Sequence, residues 1–146
     1  MDALSIRFTE FENNAPPLRP YVGLRATLLS HGFSGLTDTC VSRLDLEAFL
    51  TDLGTLVQTM QGTIDLVAGT EDQVRFSIRI SLADRLGHLR VAVRLARARR
   101  PSESIAHGVE AEFLTDVALV DNFRRDLGRM LKTQCIEAEA VLFARQ

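Results

Sequence analysis

The sequence contains little of what membrane spans, disulfide scaffolds and metal sites are made from. Its 146 residues include two cysteines, three histidines and no tryptophan. No apolar run approaches the roughly 18 residues that cross a bilayer. The N-terminal segment also lacks the basic start and apolar stretch of a signal peptide. We therefore predict a cytoplasmic protein that does not enter a membrane.

The two cysteines, Cys40 and Cys135, stand far apart, and neither belongs to a C-x-x-C pair. Unpaired cysteines of this kind usually pack inside a protein as small hydrophobic residues. We therefore expect both thiols to be free and buried.

The three histidines, His31, His88 and His107, have no second ligand at the spacing of a zinc motif such as H-E-x-x-H. The sequence also lacks the G-x-S-x-G turn of serine hydrolases and the glycine-rich phosphate loop. We therefore expect surface histidines, no catalytic residues, no metal and no cofactor.

Positive and negative charges are nearly balanced, with 17 basic and 19 acidic residues and a formal net charge of −2. Such a balance argues against a polybasic nucleic-acid binder. All the basic residues except Lys132 are arginines. Nucleic acid is therefore not the expected partner.

Alternation of apolar and polar residues, which is typical of half-buried strands, recurs along the chain. Short connections between these segments predict antiparallel neighbours. The segment after Cys135 fits either a longer helix or another strand, and both remain open. The predicted strands cover residues 4–9, 22–28, 33–40, 63–68, 74–81, 89–95 and 109–113.

Two segments change to helical spacing. Ser42 is a suitable N-cap for a helix near 43–61, and a second helix is predicted near 116–134. Each helix has one apolar stripe. The first stripe contains Leu46, Phe49, Leu53 and Leu56, and the second contains Val120, Phe123, Leu127 and Met130.

These elements predict a single α+β domain that covers residues 1–146. One apolar stripe on each helix and one apolar face on each strand pack most economically as two layers. The expected architecture is a single antiparallel β-sheet of five to seven strands with two helices packed on one face. No internal repeat is evident in the sequence.

Four arginines fall on the wet face of neighbouring predicted strands, and Arg7 and Arg25 are possible additions to them. Like charges directly opposite each other destabilise a sheet. We therefore expect Ser77 and Ser81, or carboxylates of adjacent strands, to lie across from them. The four arginines are Arg75, Arg79, Arg90 and Arg94.

Two interpretations of these arginines remain open. The first is a solvated face of mixed charge, in which Asp65, Glu110 and Glu112 alternate with the arginines. The second is a rigid binding surface for an acidic partner, since arginine is the preferred donor to carboxylates and is enriched at binding hot spots.

Four segments carry a family resemblance. They are the strand LSIRFTEF with YVGLR at 21–25, FSG at 33–35 leading into LEAFLTDL at 46–53, the strands at 74–82 and 87–96, and EFLTD at 112–116 leading into FRRDLGRML at 123–131. The arrangement resembles the WapI-type immunity proteins of bacterial contact-dependent toxin systems and related uncharacterised small α+β proteins. The resemblance implies a non-enzymatic protein that neutralises a cognate toxin by stoichiometric binding. It assigns no functional residue.

Two other functions remain open from the residues themselves. One is a small-molecule-binding or enzymatic α+β domain with a pocket between helices and sheet. The other is a module that contacts nucleic acid through its arginines, whose binding would weaken steeply with salt. The expected partner remains a protein, with the four arginines as candidate binding residues.

Overall fold

The computed structural model describes residues 1–13, 19–70, 73–96 and 108–146 of the chain. His107, considered above, lies outside these ranges. The described residues form eight strands and two helices. In chain order they are β1 (Ala3–Glu12), β2 (Tyr21–Ser30), β3 (Phe33–Ser42), α1 (Arg43–Thr59), β4 (Thr63–Thr70), β5 (Gln73–Leu82), β6 (His88–Ala96), β7 (Gly108–Asp116), α2 (Val117–Thr133) and β8 (Glu139–Phe143).

The strands form two antiparallel sheets of four rather than one. The first sheet has the order β3-β2-β1-β8, and the second sheet has the order β4-β5-β6-β7. The α+β class and the antiparallel pairing are confirmed, and the single sheet of five to seven strands is wrong. Alternation of apolar and polar residues gives each strand a buried and an exposed face, but it does not indicate which strands are neighbours. It therefore could not show that the strands after α1 form a second sheet.

The C-terminal segment is a strand, which resolves the alternative left open for it. β8 pairs with β1 from the other end of the chain. Ala140 and Leu142 of β8 are fully buried. Beyond β8, the Arg145 amide donates to the Leu114 carbonyl of β7 at 2.8 Å. The tail therefore joins the two sheets at this corner.

The two halves of the chain repeat one order of elements. Each half runs strand, strand, strand, helix, strand, first as β1-β2-β3-α1-β4 and then as β5-β6-β7-α2-β8. Residues 49–59 read FLTDLGTLVQT and residues 123–133 read FRRDLGRMLKT, while 5–7 and 77–79 both read SIR. The expectation of no internal repeat is therefore wrong. Identities are sparse because hydrophobic residues of similar volume exchange readily in a core.

Each half contributes its last strand to the sheet of the other half. β4 follows α1 but pairs with β5, and β8 follows α2 but pairs with β1. Each sheet therefore consists of three consecutive strands and one strand from the other half.

One hydrophobic core lies between the inner faces of the two sheets and the apolar stripes of the two helices. Phe49 and Leu53 of α1, and Phe123 and Leu127 of α2, are buried as predicted. The Thr37 hydroxyl of β3 also donates to a backbone carbonyl of β6 at 2.8 Å. In the described part of the chain, neither helix has the length and apolar character needed to span a membrane.

The cysteines agree only in part with the prediction. Both are free, but Cys40 is exposed and Cys135 is half-buried. Cys40 is in phase with Asp38 on β3, and this places it on the outer face of the first sheet. The predicted burial is therefore wrong, because β3 is an edge strand with one open face.

The two helices begin with different chemistry. Asp116 caps α2 by accepting a hydrogen bond from the Leu119 amide at 2.9 Å. Ser42 occupies the N-cap position of α1, as predicted. Its side chain makes no capping bond, however, and its buried hydroxyl has no partner among the described residues.

This difference predicts unequal effects at equivalent positions. Asp116→Ala should lower the free energy of unfolding by about 0.5–2 kcal/mol, because a real cap is lost. Ser42→Ala should cost less, since the hydroxyl bonds to nothing. Chemical denaturation of the two variants measures both effects, and a larger loss for Ser42→Ala would contradict the capping assignment.

The position of β8 makes a second prediction. Leu142→Ala should cost about 2–5 kcal/mol, because it leaves a cavity in a core position contributed by the last strand. Arg145→Ala is the matched control, since its exposed side chain is removed while its backbone hydrogen bond to β7 remains. Equal and small losses would show that the C-terminal strand is not part of the core.

Candidate functional site

Three of the four predicted arginines lie together on the outer face of the second sheet. Arg79 projects from β5, and Arg90 and Arg94 project from β6, while Val91 and Val93 between the last two point into the core. All three guanidinium side chains are more than half exposed. The predicted wet face is therefore confirmed for these residues.

Arg75 has a different place. It lies near the start of β5 and reaches the first sheet, where its Nη1 donates to the Asp38 carbonyl of β3 at 3.0 Å. The side chain bridges the two sheets. Alternation along β5 indicates its face correctly, but it carries no information about the neighbouring sheet.

The three arginines of this face are each paired with a carboxylate. Arg79 lies 2.7 Å from Asp65 of β4. Arg90 lies 2.6 Å from Glu112 of β7, and Arg94 lies 3.4 Å from Glu110 of the same strand. The face therefore has the mixed charge that the first interpretation expected, and the second interpretation, a binding surface for an acidic partner, stays a prediction.

The strand register keeps the arginines of this face from lying directly opposite one another. Ser77 lies across from Arg94, and Ser81 lies across from Arg90, as expected from the cost of opposed charges. Arg79 lies across from Ala92 on its other side. No arginine of this face is therefore opposed directly by another arginine.

Pairing keeps the face electrically balanced. The hydrogen bond to Asp65 raises the pKa of the Arg79 guanidinium above its ordinary value. Exposed pairs of this kind contribute only about 0–1 kcal/mol to stability. Their main effect is therefore to hold long side chains in defined places before any partner arrives.

The face is concave at its centre. A shallow concavity of about 550 Å³ is lined by small and charged side chains of all four strands. Its floor contains Ala92 and Ser77, while the longer ionic pairs form its sides. We refer to this surface as the charged face, and it comprises the residues around the concavity together with Arg90, which pairs with one of them: Asp65, Ser77, Arg79, Arg90, Ala92, Arg94, Glu110 and Glu112.

Arg7 and Arg25 do not join the charged face, because they belong to the first sheet. Arg25 forms a bidentate pair with Asp38, with its Nε at 2.8 Å from Oδ1 and its Nη2 at 3.1 Å from Oδ2. The hydrogen bond from Arg25 lowers the pKa of the Asp38 carboxyl. The outer face of the first sheet therefore has its own ionic row.

The core leaves little room for the pocket that was predicted between the helices and the sheet. The space under the helices is filled by buried apolar side chains. A second concavity of about 540 Å³ lies at the outer side of α2 beside β8, with Asn122, Arg125 and Val141 in its lining. Both concavities lie outside the core.

The two histidines of the described ranges, His31 and His88, have separate surroundings. The side chain of His31 is 84% exposed, and His88 places its Nδ1 at 2.5 Å from Oδ2 of Asp84. This hydrogen bond lowers the pKa of the Asp84 carboxyl. Within residues 1–13, 19–70, 73–96 and 108–146, no three His, Cys, Asp or Glu side chains are close enough to hold a metal ion.

The sequence did not single out Ala92, which shapes the charged face. A small residue between two arginines, as in Arg90-Val91-Ala92-Val93-Arg94, is the signal that was available. It becomes meaningful only with the register, which places Ala92 between Arg79 and Glu112. Carboxylates of the neighbouring strands were anticipated, but their individual pairs were not.

The ionic pairs predict small energetic effects. Arg79→Ala should change the free energy of unfolding by less than about 0.5 kcal/mol, because the residue is exposed. A double-mutant cycle on Arg90 and Glu112 should give a coupling of about 0.2–1 kcal/mol that decreases with added salt. Denaturation at low and high salt measures both quantities. A coupling that salt leaves unchanged would mean that the pair is shielded from solvent.

No protein-family model matches this chain, and no curated protein matches it.

Proposed function

We propose that this protein is a non-enzymatic binding module that acts by stoichiometric association with a protein partner, through the charged face. The observation that carries the proposal is a concavity on rigid strands whose surrounding charges are already paired. The WapI-type resemblance suggests the class of partner, a bacterial toxin domain neutralised in the cytoplasm.

The rigidity of the charged face favours binding. Its side chains project from four hydrogen-bonded strands, so little backbone order is lost when a partner docks. Arg79 and Arg90 are held by carboxylates at 2.7 and 2.6 Å. A partner therefore meets side chains whose positions are largely set in advance.

Balanced charge indicates how such a partner would be recognised. A face with paired charges of both signs gives little long-range attraction, because the fields of each pair cancel at a distance. Recognition then depends on close matching of donors and acceptors. We expect mutations of the face to change the dissociation rate more than the association rate.

The experiment that tests this proposal fills the concavity. Ala92→Arg should weaken binding of the partner by at least about tenfold, because a long side chain then occupies the floor of the face. The partner to test first is the protein encoded next to this one, because toxin and immunity genes are expected to be adjacent. Co-expression and association kinetics measure the effect.

Ala48→Arg is the matched control, since it adds the same side chain at an exposed position of α1. Binding that Ala92→Arg leaves unchanged would exclude the charged face as the interface. Substrate turnover by the purified protein that is lost on mutation of a histidine or carboxylate would contradict a non-enzymatic role.

A further inference from the structure

The internal repeat places one ionic row at the same position of each sheet. Asp38 precedes the helix cap Ser42 by the same spacing as Glu112 precedes the cap Asp116. Glu139 follows α2 by the same spacing as Asp65 follows α1. In register across the strands, the first sheet has Glu139-Arg7-Arg25-Asp38 and the second sheet has Asp65-Arg79-Ala92-Glu112.

The two rows have the same type of charge at three positions and differ at the fourth. Three positions keep their charge, with an acid, an arginine and an acid in both sheets. At the remaining position the first sheet has Arg25 and the second sheet has Ala92. Arg25 donates to both carboxylate oxygens of Asp38 through two of its three nitrogens, Nε and Nη2. Beside Glu112, the equivalent carboxylate, the space over Ala92 is open and belongs to the concavity.

We infer that the concavity over Ala92 binds a guanidinium group, supplied by an arginine side chain of the partner. Arg25 shows which group satisfies this position of the row when the chain itself fills it. In the second sheet, no side chain of the described residues fills the position. The inference rests on the proposed function only for the source of the arginine.

The charges around the concavity agree with a cationic ligand. Its lining holds three carboxylates, Asp65, Glu110 and Glu112, but only two guanidinium groups, Arg79 and Arg94. Both guanidinium groups already face carboxylates. Glu110 is 72% exposed and lies 3.4 Å from Arg94, so it is loosely held. Arg90 pairs with Glu112 from outside this lining, so the three carboxylates and three arginines of the face balance, and Glu110 is the carboxylate most open to an incoming guanidinium.

Arg90 does not fill this position. It projects from the next row of β6, and its Nε contacts Oε1 of Glu112 at 2.6 Å. A carboxylate has about four acceptor sites on two oxygens, so a second guanidinium can bind beside the first.

The test uses Nα-acetyl-arginine amide as the probe, added to the full chain and followed by NMR. We expect the amide signals of Ala92 and Glu112 to shift with an affinity in the millimolar range, because exposed ion pairs contribute little. Nα-acetyl-lysine amide should bind about threefold or more weakly, since it lacks the bidentate fork. Nα-acetyl-glutamate amide should leave these signals unchanged.

Two variants test the site by filling it in the second sheet and opening the equivalent position in the first. Ala92→Arg should remove the shifts at Glu112, because the chain then fills its own site. Arg25→Ala should create a second set of shifts around Asp38, because it opens the equivalent position of the first sheet. Both residues lie on outer faces, and well-dispersed NMR spectra check that the variants fold. Glu112→Gln should weaken the probe by about threefold or more.

The results separate this inference from the proposed function. No shift at Ala92 with the arginine probe, an equal shift with the glutamate probe, or no new site in Arg25→Ala would each overturn the inference. If the probe binds and the neighbouring protein does not, the guanidinium site stands and the proposed partner is wrong. If the partner binds through Ala92 and the arginine probe does not bind, the proposed function stands and the guanidinium site is wrong.

Discussion

The exchange of edge strands between the two halves of the chain is the constraint on which the rest of the fold depends. β8 completes the sheet of β1, β2 and β3, and β4 completes the sheet of β5, β6 and β7. Without β8, the edge of β1 would lose its hydrogen-bonded neighbour, and the core would lose Ala140 and Leu142. Unfolding of either half therefore exposes the core of both, which favours a cooperative transition.

Local structure followed from the sequence because local physics determines it. The helical spacing of Phe49, Leu53 and Leu56 and the alternation in β5 and β6 each require only neighbours along the chain. Membership of a sheet is a contact between distant residues, such as Ile6 with Ala140. Periodicity holds no information about such pairs, so seven alternating segments were assigned to one sheet.

For the candidate site, the sequence likewise predicted the exposed face of each strand but not the contacts between strands. Alternation placed Arg79, Arg90 and Arg94 on a wet face, and the cost of opposed charges required separating residues. Which carboxylate meets which arginine depends on the register of β4 and β7. The contact of Arg75 was not predictable for a related reason, because its partner, the Asp38 carbonyl, belongs to the other sheet.

A repeat with exchanged strands gives one scaffold two similar outer faces, and substitutions can then give them different tasks. Arg25 and Asp38 form a closed pair on the first sheet, while Ala92 leaves open space beside the corresponding carboxylate of the second sheet, which pairs with Arg90. Neither substitution touches the core, since both positions point outward. Surface changes away from the core usually cost within about 0.5 kcal/mol. A face can therefore be opened for binding with little loss of stability, while the other face remains satisfied by its own residues.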